Sequence, residues 1–217
     1  MKHNHYNDAF TKTTEEKRSR ILACATAEFA EHGFDSANIN KIALASDVSI
    51  GAMYKYFDSK EELFLTIVHI GVEATKSVLG EIINSDGSLL ERIERIIRAI
   101  QTQSRSNVHL TMLYNEMATE RHSELVWKLV SEMEGATAGL YSDLIKEAQE
   151  KGDIRKDIEP RAFAFFLDNL FIMLQFSYSC EYYKQRLKLY VGENALEDDD
   201  MIALQLMKFI SGAFSLS

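Results

Sequence analysis

Proline and glycine are scarce in this sequence, which contains one proline and ten glycines among 217 residues. Proline interrupts helices, so its scarcity favours long helices and argues against a turn-rich β fold. Cysteine is also rare, and Cys24 and Cys180 form neither a CxxC pair nor a disulfide framework. Two isolated thiols are typical of a reducing compartment. We therefore expect an all-α protein located in the cytoplasm.

Signals for secretion, membrane insertion and catalysis are missing as well. The first twenty residues have no apolar core of the kind found in signal peptides. The most apolar stretch, 162–179, is interrupted by Asp168 and Asn169, which argues against a membrane span. No Walker loop, GxSxG or HExxH motif occurs, and the closely spaced His3 and His5 lie in a tail that we expect to be disordered. We predict no membrane segment, metal, cofactor or catalytic site.

Basic side chains are fewer than acidic ones, which gives a formal net charge of −9, and the excess of acidic side chains is unevenly distributed along the chain. Residues 1–60 contain eight basic and eight acidic side chains, so the excess of negative charge lies in 61–217. A polyanion such as DNA would be repelled by the second segment and tolerated by the first. Any nucleic-acid contact is therefore expected within the first sixty residues.

Hydrophobic periodicity and cap residues predict about nine helices. The first ends at Gly33, the third follows a cap at Ser49, and the fourth begins with a Ser59–Glu62 capping box. Pro160 suits the first turn of the eighth, and an acidic run suits the start of the ninth. The predicted ranges are 14–32, 39–45, 50–56, 60–83, 88–100, 108–119 and 123–151, with further helices from 160 and from about 199.

The helices predicted over 39–45 and 50–56 are short and are joined by a turn of about four residues. This is the geometry of a helix-turn-helix motif, in which the second helix enters the major groove of duplex DNA. Gly51 and Ala52 are small enough for the backbone to approach DNA closely, and Ile50 lies beside them in the same turn. We expect all three to face the DNA.

Polar side chains around this second helix supply the other contacts that DNA requires. Lys55 and Asn40 can reach base edges, although an Asn at a helix start can also serve only as a cap. The basic cluster 17–20 either adds phosphate contacts or forms a solvated face, and the spacing of Met53 and Phe57 predicts a buried pair. The candidate phosphate contacts are Ser49, Tyr54, Tyr56 and Lys60, although Tyr54 and Tyr56 could also be core residues.

The segment 21–63 resembles the DNA-binding region of the tetracycline-repressor (TetR) family, and the match is dense and ungapped. It departs from the family at Asp47, Ile50, Ala52 and Asp58, where Gly, Lys, Thr and Pro are frequent, so no relative's operator sequence can be transferred to it. The residues that carry the resemblance are Ile21, Leu22, Ala25, Phe29, Gly33, Phe34, Ile42, Ala43, Val48, Ser49, Gly51, Tyr54, Tyr56, Phe57, Ser59, Lys60 and Glu61.

The resemblance implies a helix-turn-helix DNA-binding domain over 1–62 and a helical domain over 63–217 that dimerises and binds a small molecule. Members of the family are mostly repressors that leave a palindromic, double-stranded operator when an effector binds. Two alternatives stay open at this point. One is a helical adaptor that kept the fold but lost operator binding, and the other is a helical enzyme that uses the pocket.

The predicted helix that begins at Pro160 is apolar on nearly every side and must therefore bury more than one face. We expect this helix and the last one to form a four-helix interface in a homodimer. The dimer would then hold its two helix-turn-helix domains, which we call the reading heads, about 34–36 Å apart, so that they contact successive major grooves of the DNA. Because the two contacts are linked, neither reading head needs a strong net positive charge. The expected interface residues are Phe163, Leu170, Phe171, Leu174, Ile202, Leu206, Phe209 and Ile210.

Soft and aromatic residues are frequent in the predicted helices between 108 and 179, where they form either core or a ligand pocket. A pocket lined by such residues would suit a largely apolar effector, aromatic or cationic in character. Asn115 and Gln175 would provide additional polar contacts to the effector. The candidate pocket residues are Met112, Tyr114, Met117, Trp127, Asn169, Met173 and Phe176.

Overall fold

The computed structural model describes residues 5–117 and 123–215, with the backbone alone at 123–130, 132, 133 and 136. Within these ranges the chain forms eleven α-helices, one 3-10 turn and no strand, which confirms the predicted all-α fold. The helices are α1 (Asp8–Thr11), α2 (Glu15–Ser36), α3 (Ile39–Ala45), α4 (Ile50–Tyr56), α5 (Lys60–Ile83), α6 (Leu89–Ser106), α7 (Val108–Met117), α8 (Ser123–Lys151), α9 (Pro160–Ser179), α10 (Glu181–Val191) and α11 (Asp199–Phe214), and the 3-10 turn is Glu193–Leu196.

The two short helices α3 and α4 have the predicted bounds because their caps are local in sequence. Asn38 Oδ1 accepts a hydrogen bond from the Asn40 amide at 2.8 Å, and Ser49 Oγ accepts one from the Ala52 amide at 3.1 Å. Each bond satisfies a helix N-terminal amide that would otherwise lack a partner. α2 extends beyond its predicted end, but its helical geometry breaks at Gly33, where φ is 72°.

The prediction of nine helices missed α1, α10 and the 3-10 turn. α1 has four residues and α10 has no buried residue, so neither carries the apolar stripe on which the prediction depends. The expected Ser59–Glu62 capping box is half formed: Ser59 Oγ accepts from the Glu62 amide at 3.1 Å, whereas Glu62 Oε2 lies 3.0 Å from His5 Nδ1. The expectation of a disordered tail is therefore wrong from His5 onward, and His3 lies outside the described residues.

Two clusters of buried apolar side chains organise the fold. The N-terminal cluster gathers α1 to α4, the first half of α5 and Leu113 of α7. The C-terminal cluster gathers the end of α5 with α6, α8, α9 and α11. α5 contributes residues between 63 and 72 to the first cluster and Leu79 to the second. The expected boundary between 62 and 63 falls in the first turn of this continuous helix.

By length and composition alone, α5 and α9 could each cross a membrane. Core helices of water-soluble proteins share these properties, and both helices contribute buried residues to the two clusters. Their apolar character is therefore a weak indication of a membrane span and is explained by packing.

Candidate nucleic-acid interface and ligand cavity

The turn between α3 and α4 is held by buried polar contacts. Ser46 is completely buried, and its hydroxyl donates to the Ile42 carbonyl at 2.7 Å. Asp47, where the resemblance leads one to expect glycine, adopts a positive φ of 54°. Arg20 Nε donates to the Ser46 carbonyl at 2.8 Å, so this member of the 17–20 cluster secures the turn from α2. The angle between α3 and α4 is thereby fixed by contacts on the protein side.

One face of α4 is anchored and the other is open. Met53 and Phe57 are buried, as their spacing predicts, and they fix the orientation of the helix. On the opposite side Ile50 is 47% exposed and Tyr54 is 55% exposed. Gly51 is also exposed, and a Cβ placed there would meet no atom within 4 Å. The face that a DNA groove would have to accept is therefore open to solvent.

Polar candidates remain accessible around this open face. Lys55 and Asn40 are both exposed, and Asn38 rather than Asn40 provides the side-chain cap of α3. The Asn40 side chain is therefore not needed for capping. Ser49 is exposed and accepts the Ala52 amide, and its hydroxyl hydrogen can still be donated to a phosphate oxygen. We retain Asn40, Ser49 and Lys55 as candidate contacts.

Two of the candidate phosphate contacts are occupied inside the protein. Tyr56 is 8% exposed, and its ring lies 5.7 Å from the ring of Phe10. Lys60 Nζ donates to the carbonyls of Asp35 at 2.8 Å and Ala37 at 3.3 Å, and it lies 4.9 Å from the centre of the Phe34 ring. Because the Lys60 ammonium already donates to two carbonyls and the Tyr56 side chain is almost fully buried, we withdraw both residues from the set of free phosphate donors.

The short N-terminal helix α1 closes over the end of α4, a contact that sequence analysis missed. The Asn7 amide donates to the Tyr56 carbonyl at 2.8 Å, and Asn7 Nδ2 donates to Asp58 Oδ1 at 2.7 Å. Phe10 is buried, with its ring centre 4.8 Å from that of Phe57. A single aromatic residue in a polar stretch is a weak sequence pattern. The packing of Phe10 in the structure is what identifies α1 as a support of α4.

A cavity of about 290 Å³ lies among α5, α6, α7, α8 and α9. Its wall includes the buried side chains of Leu79, Ile96 and Phe171, whereas the exposed Thr75 and Gln103 mark its mouth. A mostly apolar lining with a few polar groups is typical of a small-molecule site. Phe171, which we expected at the dimer interface, instead lines this cavity.

Several of the predicted pocket residues do meet at this cavity. Tyr114 and Met117 line it, and so does Gln175, which was considered as an additional polar contact. Phe176 lies behind Tyr114, with ring centres 5.4 Å apart, and does not line the cavity itself. The Tyr114 ring of α7 is thus part of the cavity wall and is supported from behind by α9.

The remaining predicted pocket residues lie elsewhere. Met112 packs against the N-terminal cluster, and Asn169 is exposed, with its Nδ2 donating to the Phe165 carbonyl at 2.7 Å. Met173 is partly buried but is not part of the cavity wall. The side chain of Trp127 lies outside the described residues. The apolar sequence of α9 does not reveal which of its faces meets the cavity.

Two carboxyl groups, from Asp168 and Glu134, line the cavity. The Tyr114 hydroxyl donates to Glu134 Oε1 at 2.9 Å. Burial, followed by the nearby charge of Glu134, raises the pKa of Asp168 to about 6. Burial also raises the pKa of Tyr141, which lines the same cavity, above its ordinary value. In the sequence, Asp168 is visible only as an interruption of an apolar run, and Glu134 lies 34 residues away, so this acidic pair was not predicted.

The expected dimer residues divide into buried and accessible groups. Leu170 and Leu206 are partly buried and Phe209 is 64% exposed. The remaining five are buried in the chain's own core, so they have little surface to offer a partner: Phe163, Phe171, Leu174, Ile202 and Ile210. Phe165, Phe166 and Leu204 are exposed instead. An interface along α9 and α11 would therefore use a different face from the one expected.

Comparisons with known proteins agree with this architecture. Residues 21–67 match the family described as bacterial regulatory proteins, tetR family. YhgD, an uncharacterised HTH-type transcriptional regulator of Bacillus subtilis (strain 168), is 25% identical over 163 residues, which cover 75% of this chain and 84% of that protein. The HTH-type transcriptional repressor KstR2 of Mycobacterium tuberculosis (strain CDC 1551 / Oshkosh) is 22% identical over 143 residues, which cover 66% of this chain and 72% of that protein.

A solved structure shares the fold as well. The transcriptional regulator FadR from Bacillus subtilis, crystallised with stearoyl-CoA, has a TM-score of 0.68 at 18% identity and covers 83% of this chain and 96% of its own. Similarity at this level of identity shows the fold alone. The match over 21–67 coincides with the helix-turn-helix and the start of α5. This chain is therefore similar to bacterial transcriptional regulators of the tetR family, whose DNA-binding segment it matches over residues 21–67.

Proposed function

We propose that this protein is a transcriptional repressor that binds a palindromic operator as a homodimer and leaves it when a small molecule enters the cavity. The observation that carries the proposal is the open face of α4, where Gly51, Tyr54 and Lys55 are exposed on a helix whose other face is anchored. Small residues permit close approach to DNA, and polar residues contact phosphates and base edges. Operator binding takes place in the cytoplasm, which is the location we propose.

Exposed apolar residues on α9 and α11 support a homodimer. Phe165 and Phe166 are 64% and 63% exposed, and Phe209 is 64% exposed. Large aromatic side chains that remain exposed to water, as on α9 and α11, are typical of a surface that a partner covers. Two linked heads make the second operator contact intramolecular, which compensates for the near-neutral charge of residues 1–60.

Helix α7 provides a physical route from the cavity to the reading head. Its Tyr114 and Met117 line the cavity, whereas its Leu113 is buried and belongs to the N-terminal cluster. Gly33 of α2 faces α7, since a methyl group there would lie 3.1 Å from Glu116 Oε1. A ligand that displaces α7 therefore also displaces α2. Release from DNA then follows if the ligand prefers the state in which the two heads are wrongly spaced.

The test is binding to DNA that flanks the protein's own gene, measured by fluorescence anisotropy at about 0.1 M and 0.3 M salt. Replacing both Tyr54 and Lys55 with Ala should weaken specific binding at least about tenfold, because a base or phosphate contact contributes roughly 1–3 kcal/mol. Lys156→Ala, which removes an exposed charge outside the reading head, is the matched control. If the protein binds random DNA as tightly as it binds the DNA that flanks its own gene, the adaptor alternative is favoured over a repressor.

A further inference from the structure

We propose that the effector is an amphipathic organic cation, with an apolar body of about the size of one aromatic ring and a short chain, whose positive charge lies against Asp168 and Glu134. The proposal rests on the proposed function only in calling this ligand an effector. The preference of the cavity for a positive charge is a property of its own side chains and can be measured without DNA.

The acidic groups come from different helices and converge on one cavity. Asp168 lies on α9 and Glu134 on α8, and both belong to the cavity wall. Glu134 accepts a hydrogen bond from Tyr114, whereas no hydrogen bond or ion pair to the Asp168 carboxyl group is found within the described part of the chain. The two carboxylates are close enough for the charge of Glu134 to raise the pKa of Asp168. A cation between them would relieve this repulsion and provide a counter-charge.

Compensating positive charge is missing from the part of the cavity wall that the structure describes. Among its described residues there is no Lys, Arg or His. Two of the four arginines of α6 pair with acids on α11: Arg98 Nη1 lies 2.7 Å from Asp200 Oδ1, and Arg105 Nη2 lies 2.6 Å from Asp199 Oδ1. The described residues of the wall therefore present net negative charge to a ligand.

The rest of the wall suits the apolar part and the donor hydrogens of such a ligand. The rings of Tyr114, Tyr141 and Phe171 belong to the wall, and aromatic faces attract cations. Ser104, also in the wall, has the one buried side-chain oxygen without a hydrogen-bond partner among the described residues, so it can accept from an ammonium N–H. A volume of about 290 Å³ lies near the lower end of ligand pockets.

Charge also distinguishes this ligand class from acyl-CoA thioesters. A coenzyme A moiety carries several phosphate charges, which need arginine, lysine or helix N-termini as partners. A wall that contains two acids and no base among its described residues would repel such a group. The described part of the cavity wall therefore lacks the groups that the coenzyme A part of such a ligand would need.

The experiment uses three probes of the same shape and different charge: 4-phenylbutylamine, 4-phenylbutan-1-ol and 4-phenylbutyrate. Isothermal titration calorimetry on the full chain at pH 7.5 should give the tightest binding for the amine, by at least about tenfold over the alcohol, and the weakest for the carboxylate. If the alcohol or the carboxylate binds as tightly as the amine, or if the amine does not bind, the proposal is overturned.

Variants connect the preference to the two acids. Asp168→Asn and Glu134→Gln should each reduce amine affinity about tenfold or more while leaving alcohol affinity within about threefold. Asp143→Asn, which neutralises an exposed acid on α8 outside the cavity, should behave like the parent protein. Circular dichroism confirms that each variant is folded. Unchanged amine affinity in both cavity variants also overturns the proposal.

A second readout separates this inference from the proposed repressor function. Amine binding accompanied by release from operator DNA supports both. Amine preference in a protein that binds no operator, or that stays on it, supports the cationic ligand and contradicts the release mechanism. Release by the carboxylate but not by the amine contradicts the cationic ligand and leaves the repressor function intact.

Discussion

Neutralising Asp168 should stabilise the ligand-free protein, although the substitution removes a charge from the candidate binding site. Burial and the neighbouring Glu134 raise the pKa of Asp168 from an ordinary 3.8 to about 6. The folded state therefore binds this proton more tightly than the unfolded state does, and at neutral pH the ionised carboxylate disfavours folding. The difference between 3.8 and about 6 corresponds to about 3 kcal/mol. Partial solvent screening of the half-buried group reduces the expected effect to roughly 1–3 kcal/mol.

The pH dependence gives this prediction its sign. Because the folded pKa is raised, the unfavourable contribution is complete above pH 6 and disappears as the pH falls towards 3.8. Urea unfolding should show Asp168→Asn to be more stable than the parent at pH 7.5, with a gain about a third as large at pH 4.5. Tyr114, Tyr141 and Glu134 share the cavity wall and are unchanged in both proteins, so the comparison isolates this carboxyl group.

The same urea titration on Asp143→Asn, which alters an exposed acid, should show no gain at either pH. A loss of stability in Asp168→Asn at pH 7.5, or a gain of equal size at both pH values, would refute the reasoning. The first outcome would mean that the carboxylate makes a favourable interaction in the folded state. The second would mean that the gain comes from packing instead of charge.

Three further predictions concern the reading head and the dimer. Phe10→Ala should cost about 3–5 kcal/mol in urea unfolding, because the ring is buried against Tyr56 and Phe57; a loss below about 1 kcal/mol would contradict the packing of α1. Lys60→Met should reduce the salt dependence of operator binding less than Lys55→Met does, because the Lys60 ammonium already donates to two carbonyls; equal salt slopes would contradict this assignment. Phe209→Glu should shift the chain towards monomer in sedimentation velocity, because this exposed ring is expected to meet a partner; an undisturbed dimer would place the interface elsewhere.

Local signals explain which parts of the fold could be predicted. The bounds of α3 and α4 follow from caps at Asn38 and Ser49 that lie next to the helices in sequence. By contrast, α10 has no buried residue and shows no periodic stripe. The carbonyl partners of Lys60, at Asp35 and Ala37, are more than twenty residues away in the sequence and come close only on folding. For this reason the sequence alone predicted that Lys60 contacts a phosphate.

The cavity and the dimer surface were harder to predict for a related reason. α9 is apolar on nearly every side, so its sequence does not separate the face towards the cavity from the faces towards the core or a partner. Phe171 was therefore predicted at the dimer interface but lies in the cavity wall, whereas Phe165 and Phe166 are exposed. Asp168 is an exception among the apolar residues of α9, because a carboxyl group inside an apolar helix tends to lie where a ligand, partner or water can reach it.

The continuity of α5 has a consequence for how the molecule comes apart. Its 24 residues span about 36 Å, and its early residues, Leu63, Phe64 and Ile67 among them, complete the hydrophobic interior beneath the reading head. A fragment cut after residue 62 would lack that interior and should not fold by itself. Heating should therefore unfold the whole chain in a single transition. A compound that binds at the C-terminal end of α5 and stabilises it should then also protect the helix-turn-helix against unfolding.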